Sequence, residues 1–431
     1  MRFTVVTSGG EGDTRPIAAL CHGLIQAGHE VCFFAEQSTS GFARALGVPT
    51  RILPGDMQSA MSLGDPMQDI RLADIVAAGK NVQKVLVDNA ADRMRMVAEH
   101  ARHSDAVLFS SLALFVGPTV AHELGKPAIG LWLQPISPTR AFPAPMMQPV
   151  KLPGWMNLLT YKLLRRYLRR WLGKGTEAAC EQAFGHASRK QVIFDFPLLY
   201  GISPQLVTQP TDWPSTDQVC GQWTMPTPNW QAPTALVDFL HAGPAPIYVG
   251  FGSGSSFVRK KRLLPLIAAI AGRRAVFYPG WSKIDASVLP NNFFVLDDTP
   301  HDWLFPQTAM VIHHGGAGTT HSAARAGVPQ IALPFGADQH FWANAVANAG
   351  SAPKFVKGAP NNADILATMI AYCEREDVRQ RARLLGTAMS KETGIANTVQ
   401  AIVSLVASRS QNRSPTIFLG RPSQSTSLGS V

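Results

Sequence analysis

Between Val311 and Thr320 the chain reads Val-Ile-His-His-Gly-Gly-Ala-Gly-Thr-Thr: an apolar strand, four small residues, then a helix. Few local patterns constrain a fold as much. The turn leaves backbone N–H groups unpaired at a helix N-terminus, which carries about half a positive charge. Small residues let an anion approach that backbone closely, and a diphosphate is the natural ligand. The stretch is not Gly-x-Gly-x-x-Gly and lacks a P-loop lysine, so simple dinucleotide-dehydrogenase and ATPase readings are weak. The bland alternative is that the glycines only permit tight packing. A metal held by His313 and His314 together is disfavoured, because neighbouring side chains on a strand point to opposite faces.

Two further turns end strands in the same half of the chain. Gly250-Phe251-Gly252-Ser253-Gly254-Ser255 follows Ile247–Val249, and Pro334-Phe335-Gly336-Ala337-Asp338-Gln339 follows Gln330–Leu333. Ligands of open α/β sheets sit outside the C-terminal strand ends, so such turns can converge on one molecule. Asp338 and Gln339 offer an acceptor and a mixed donor–acceptor suited to sugar hydroxyls. Asp338 could equally be the N-cap of the next helix. Near the start, strand 2–7 runs into Ser8–Gly12, and a helix is expected from about Thr14. Asp13 at that junction is either an N-cap or a general base at the sheet edge. The two glycine turns lie about 300 residues apart. They share one site only if two domains face each other across a cleft.

A length of 431 residues exceeds what one hydrophobic core usually serves. Strand–helix alternation occurs twice, separated by a proline-rich stretch at 204–233, so two Rossmann-like α/β domains are expected. The boundaries read as 1–215, 216–407 and a serine-rich mobile tail at 408–431. The five cysteines are scattered and contain no Cys-x-x-Cys pair, which suits a reducing cytosol rather than a disulfide framework or zinc site. No signal peptide is legible at the N-terminus, and the most apolar stretch, 106–121, is shorter than the ~20 residues of a membrane span. The net charge of +10 permits nucleic acid, anionic lipid or phosphorylated partners. No interleaved basic–aromatic motif favours nucleic acid.

At these residues the sequence resembles glycosyltransferase family 1 enzymes of the GT-B fold, nearest in look to bacterial sterol 3β-glucosyltransferase-like and antibiotic glycosyltransferases. The resemblance rests on Gly12-Asp13-Thr14-Arg15-Pro16, Ala27-Gly28-His29-Glu30-Val31, Val249-Gly250-Phe251-Gly252-Ser253, Pro300-His301-Asp302-Trp303, His313 through Thr320, and Asp338-Gln339 with Phe341-Trp342. It implies an inverting, metal-independent transfer of a sugar from a nucleotide sugar, UDP-glucose in preference to a dTDP-sugar, to a hydroxyl of a lipophilic acceptor. No separate cofactor is implied. By matching positions, Asp13 is the base. His314, Gly316, Ala317, Gly318, Thr319 and Ser253 hold the diphosphate. Asp338 and Gln339 take the sugar, and the loop from Asp298 to His301 lies near the nucleobase. The N-terminal domain takes the acceptor, the C-terminal domain takes the donor, and the last helix returns to the first domain. One departure is Glu11, where the family turn commonly carries a basic residue. A second carboxylate there is expected to raise one pKa of the pair. His22 and His29 are the other candidate bases.

Residues 155–172 read as a basic amphipathic helix. Lys162, Arg165, Arg166, Arg169 and Arg170 occupy one side, and Tyr161, Leu164, Leu168 and Trp171 another. Such a helix is either a solvated face above a packed one or a peripheral contact with an anionic membrane. The proline-rich loop 135–153 is expected to help form a pocket for a sterol, polyketide or glycolipid. The competing classes are a nucleotide-sugar 2-epimerase and a non-catalytic sugar binder. The expected location is cytoplasmic, peripheral at the membrane if the helix makes that contact.

Overall fold

The computed structural model describes every residue except 62–71, 149–151, 187–195, 225, 228–229, 253–259, 281–287 and 412–431. Two parallel sheets account for the alternation. The first holds β1 (Arg2–Val6), β2 (Glu30–Glu36), β3 (Thr50–Leu53), β4 (Ala106–Ser110), β5 (Ala128–Trp132), β6 (Leu198–Tyr200) and β7 (Gln218–Val219), in the order β3-β2-β1-β4-β5-β6-β7. The second holds β8 (Ile247–Gly250), β9 (Ala275–Tyr278), β10 (Phe293–Val295), β11 (Met310–His313) and β12 (Gln330–Ala332), in the order β10-β9-β8-β11-β12.

Both sheets are covered on both faces, which is why their strands read as unbroken apolar runs. In β4, Ala106 and Leu108 join the core on one side, while Val107 and Phe109 join the core on the other. The second sheet divides likewise between Ile312 and Val311. In each sheet the strand order reverses at one place, between β1 and β4 and between β8 and β11. A reversal of this kind opens a crevice at the C-terminal strand ends. Among the described residues, Gly9 and Gly10 after β1, Gly252 after β8 and Gly315 and Gly316 after β11 lie there.

The division between domains differs from the reading at residue 215. Strand β7 pairs with β6 and extends the first sheet beyond that point. Its two residues lie in the proline-rich stretch, where composition hid a strand too short to show periodicity. The last helix, Gly394–Gln411, returns to the first domain, where Ala401, Ile402 and Val406 enter the core beneath β1. Its final turn, 408–411, occupies the start of the stretch read as a tail, and the rest of that stretch lies outside the described residues. Trp223 Nε1 donates to Thr398 Oγ1 at 2.7 Å and fixes the return. The two crossings between domains meet: a Cβ on Gly394 would sit 2.4 Å from the Gln222 carbonyl, so no side chain fits there.

The domains touch along the cleft. Helix Gln339–Asn348 of the second domain buries Phe341 and Trp342 in the core cluster of the first. Phe142 meets Phe341 edge-on at 5.3 Å, and Asn344 donates to Gln148 at 3.0 Å. Ser203 donates its backbone N–H to His321 Nε2 at 3.0 Å and its hydroxyl to Glu392.

Candidate active site

The first turn begins at Ser8 and Gly9, and helix Glu11–Gln26 starts three residues earlier than the sequence suggested. Asp13 is therefore inside the first helical turn rather than at the cap. Its Oδ2 accepts the Gly10 N–H at 3.0 Å, which fixes the carboxylate at the sheet edge. Gly9 has φ +129°, and a Cβ there would lie 2.5 Å from Asp13 Oδ2. A Gly9→Ala variant must displace that carboxylate and strain the turn. We expect it to lose at least about ten-fold in kcat while keeping nucleotide affinity, as a modest misplacement of a reacting group does; isothermal titration beside initial rates checks this.

Burial pushes the Asp13 pKa up to about 7, despite the opposing bond from Gly10. Asp338, across the cleft, and Glu36 raise it further. Glu11 is not among these neighbours. It pairs with Arg15 one helical turn along, at 3.2 Å, and the carboxylates that raise Asp13 are Asp338 and Glu36 instead of Glu11. A carboxyl that titrates near neutrality is suited to accepting a proton at physiological pH. His22 bonds the Leu46 carbonyl at 3.2 Å, and His29 lies near the Met1 amine, so neither points to the cleft turn.

On the donor side, β8 and β11 are neighbours in register, with His313 opposite Gly250. Gly252, the last described residue after β8, thus stands beside the turn after β11: a Cβ on it would lie 3.4 Å from the His314 ring. Helix Ala317–Arg325 has Gly316 as N-cap, and its first intrahelical bond runs from Thr320 N–H to the Gly316 carbonyl at 3.0 Å. The amides of Ala317, Gly318 and Thr319 have no helical partner and point out of the helix end. His313 is spent on structure: Nδ1 accepts from Gly315 N–H at 3.0 Å, and Nε2 meets Gln330 Oε1 at 2.9 Å. His314 is different. It sits between the turns, within reach of positions 252 and 316, and its buried Nδ1 has no hydrogen-bond partner. Burial pulls its pKa down to about 4, so it is a neutral imidazole at pH 7 and can donate one N–H to an anion. Ser253 lies outside the described residues.

Asp338 is at the N-cap position of helix Gln339–Asn348 but does not cap with its side chain. Its Oδ2 accepts from Trp342 Nε1 at 2.7 Å. Gln339 Oε1 accepts from the Phe335 and Gly336 amides at 2.6 and 3.1 Å, so the amide NH₂ is the group it can offer a ligand. Asp298 accepts from Arg15 Nη2 of the first domain at 2.8 Å, tying the cleft shut at that side. His301 stacks on Phe305 at 4.2 Å and is held neutral by burial, with its pKa down to about 3.

The structure thus brings Asp13, Asp338, His314 and the helix end to one cleft, with Asp298 and Arg15 at its margin. Sequence reasoning missed Glu36 and gave Trp342 no role. Trp342 stands four residues after Asp338 on one helix, a spacing that places the two side chains together. Glu36 carried no such signal.

Residues 262–405 match the family described as erythromycin biosynthesis protein CIII-like, C-terminal domain. Over 96% of its length the chain is 29% identical to the O-mycaminosyltylonolide 6-deoxyallosyltransferase of Streptomyces fradiae, whose whole length it covers. It is 26% identical, over 93% of its length, to the sterol 3-beta-glucosyltransferase UGT80B1 of Arabidopsis thaliana, of which it covers 67%. It spans only 27% of the longer sterol 3-beta-glucosyltransferase of Neurospora crassa. Among solved structures, the spinosyn forosaminyltransferase SpnP superposes with a TM-score of 0.66 at 20% identity, covering 94% of this chain and 99% of SpnP. The glycosyltransferase VinC, solved with dTDP, gives 0.60 at 19% identity, covering 95% of this chain and all of VinC. The chain has the GT-B fold of these solved structures and is similar, along nearly its whole length, to proteins named as glycosyltransferases. Those relatives are named for transfer to O-mycaminosyltylonolide and to sterols.

Proposed function

We propose that the protein transfers a hexose, glucose in preference, from a UDP-sugar to a hydroxyl of a lipophilic acceptor, a sterol, polyketide or glycolipid, with inversion at the anomeric carbon. The observation that carries this reading is the pairing of a carboxyl tuned to about 7 with a helix N-terminus across one cleft. The acceptor oxygen bonds to C1 of the sugar as the bond from C1 to the diphosphate oxygen breaks. The acceptor proton passes to Asp13 late in that attack. The diphosphate leaves with the bonding electrons, and the amides of Ala317, Gly318 and Thr319 with the His314 N–H stabilise its growing charge. Asp338 and the Gln339 amide hold sugar hydroxyls. This arrangement assigns no task to a metal, and activity should persist in excess EDTA.

Thermal unfolding with UDP, dTDP and UDP-glucose tests the donor. At ~100 times its dissociation constant a ligand stabilises the folded state by ~2.7 kcal/mol, enough to move the midpoint. A shift with UDP and UDP-glucose is expected. A shift with dTDP alone rejects the uridine assignment, and no shift with any of them rejects the donor site.

A further inference from the structure

We infer that the outer face of the helix Gly154–Phe184 is a docking surface for an anionic lipid bilayer. The apolar residues recognised in the sequence do not form that face: Tyr161 and Leu164 are buried, and Leu168 and Trp171 pack against the first-domain core. A second row, spaced every four residues, is left outside. Trp155 is 71% exposed, Leu159 and Leu163 each 48%, and Tyr167 57%. Four residues at i, i+4 spacing form one ridge about 18 Å long. Met146 and Met147, 47% and 39% exposed, stand on the turn Pro145–Met147 just ahead of the helix. A water-soluble helix rarely lines up four large apolar side chains on its open side without a partner.

The flanking charge indicates which partner. Lys162, Arg166, Arg169, Arg170 and Lys174 are exposed beside the ridge, and residues 154–176 contain no acidic side chain. Tryptophan, leucine and tyrosine between cations is the composition of a helix that lies in a bilayer surface, its apolar side sunk ~5–10 Å among headgroups. Each cation near an anionic surface adds attraction of its own. A protein partner would bring acidic groups to one side of such a face; a bilayer meets all the cations at once.

The position of the ridge suits the chemistry of the cleft. Asn157 donates to the Arg140 carbonyl at 2.8 Å, Thr160 Oγ1 accepts from Ala144 N–H at 2.8 Å, and Tyr161 donates to the Phe142 carbonyl at 3.2 Å. The first turns of the helix therefore hold the loop whose Phe142 and Gln148 contact helix Gln339–Asn348, the helix that begins beside Asp338. A bilayer on the ridge lies against the loop that borders the acceptor side.

Co-sedimentation with vesicles tests the surface without reference to any sugar transfer. The full chain should bind phosphatidylcholine vesicles containing about 30 mol% phosphatidylglycerol and should not bind pure phosphatidylcholine. A Leu159→Ser, Leu163→Ser double variant keeps every charge and should bind at least about ten-fold more weakly, with its unfolding midpoint unchanged because both side chains are half exposed. Equal binding by that variant would reduce the effect to general attraction by the +10 charge and overturn the inference. Absence of vesicle binding, or self-association abolished by the same substitutions, would overturn it as well, the latter assigning the ridge to a second copy of the chain.

Discussion

Asp13→Asn is expected to lower kcat by about 10²- to 10⁴-fold while leaving UDP-sugar affinity within a few-fold, because it removes a positioned base and little else. Asparagine can still accept the Gly10 N–H through Oδ1, so the turn keeps its shape. The pH dependence carries a sign that separates a base from a merely structural residue. In the parent, kcat/KM should rise with pH through an apparent pKa near 7, since only the ionised carboxylate can take the proton. Stability should move in the opposite direction. The ordinary value of this carboxyl is 3.8 and its folded value is about 7. Below both values the proton is bound in both states. Between them the unfolded chain releases it and the folded protein keeps it. The stabilisation is therefore complete at low pH and is lost as pH rises through 7. Asn has no charge to bury, so the variant should melt above the parent at pH 8 and approach it near pH 4. Retained turnover in Asp13→Asn, with intact donor binding, would assign the base elsewhere.

Arg93→Met should have the largest effect on stability of any single change near the cleft. Arg93 is 2% exposed and Glu36 fully buried, with Nη2 of one 3.0 Å from Oε1 of the other. The guanidinium also donates to Ser8 Oγ at 3.0 Å and to the Pro54 carbonyl at 2.9 Å, while Ser8 donates to Glu36. One cation thus ties the glycine turn after β1, the end of β2 and the loop after β3. Removing it leaves Glu36 buried and uncompensated, which costs about 3–5 kcal/mol. Urea unfolding of Arg93→Met against Arg93→Met with Glu36→Gln measures this. The double variant should be the more stable of the two. Because Glu36 raises the Asp13 pKa, a Glu36 made neutral should also shift the kcat/KM profile toward lower pH.

The parts legible in the sequence were those whose physics is local. Helix-terminal turns announce themselves through runs of small residues, and β8 and β11 needed only strand adjacency to bring Gly250 opposite His313. The parts that stayed hidden depend on distance or register. Ser8, Glu36 and Arg93 lie in three separate segments, and each looks ordinary where it stands. Strand β7 is two residues long and sits among prolines. Leu159 and Leu163 match the periodicity of a core stripe as well as Leu164 and Leu168 do. Only the packing of helix Gly154–Phe184 on its neighbours decides which row turns inward. The side chain of Asp13 was found, but its place within the helix was read one turn late, because Glu11 and Gly12 look like loop residues.

The returning last helix also has a consequence for synthesis. Residues of the second domain leave the ribosome as one unbroken stretch between β7 and Glu392, and its core needs nothing from outside that stretch. The first domain begins earlier but is finished later, since the core beneath β1 needs Ala401, Ile402 and Val406. The second domain can thereby complete its core before the first, against the usual N-terminal-first order of folding during translation. Until the last helix is synthesised, the face already packed by helix Glu11–Gln26 and Trp223 lacks that helix's three buried side chains.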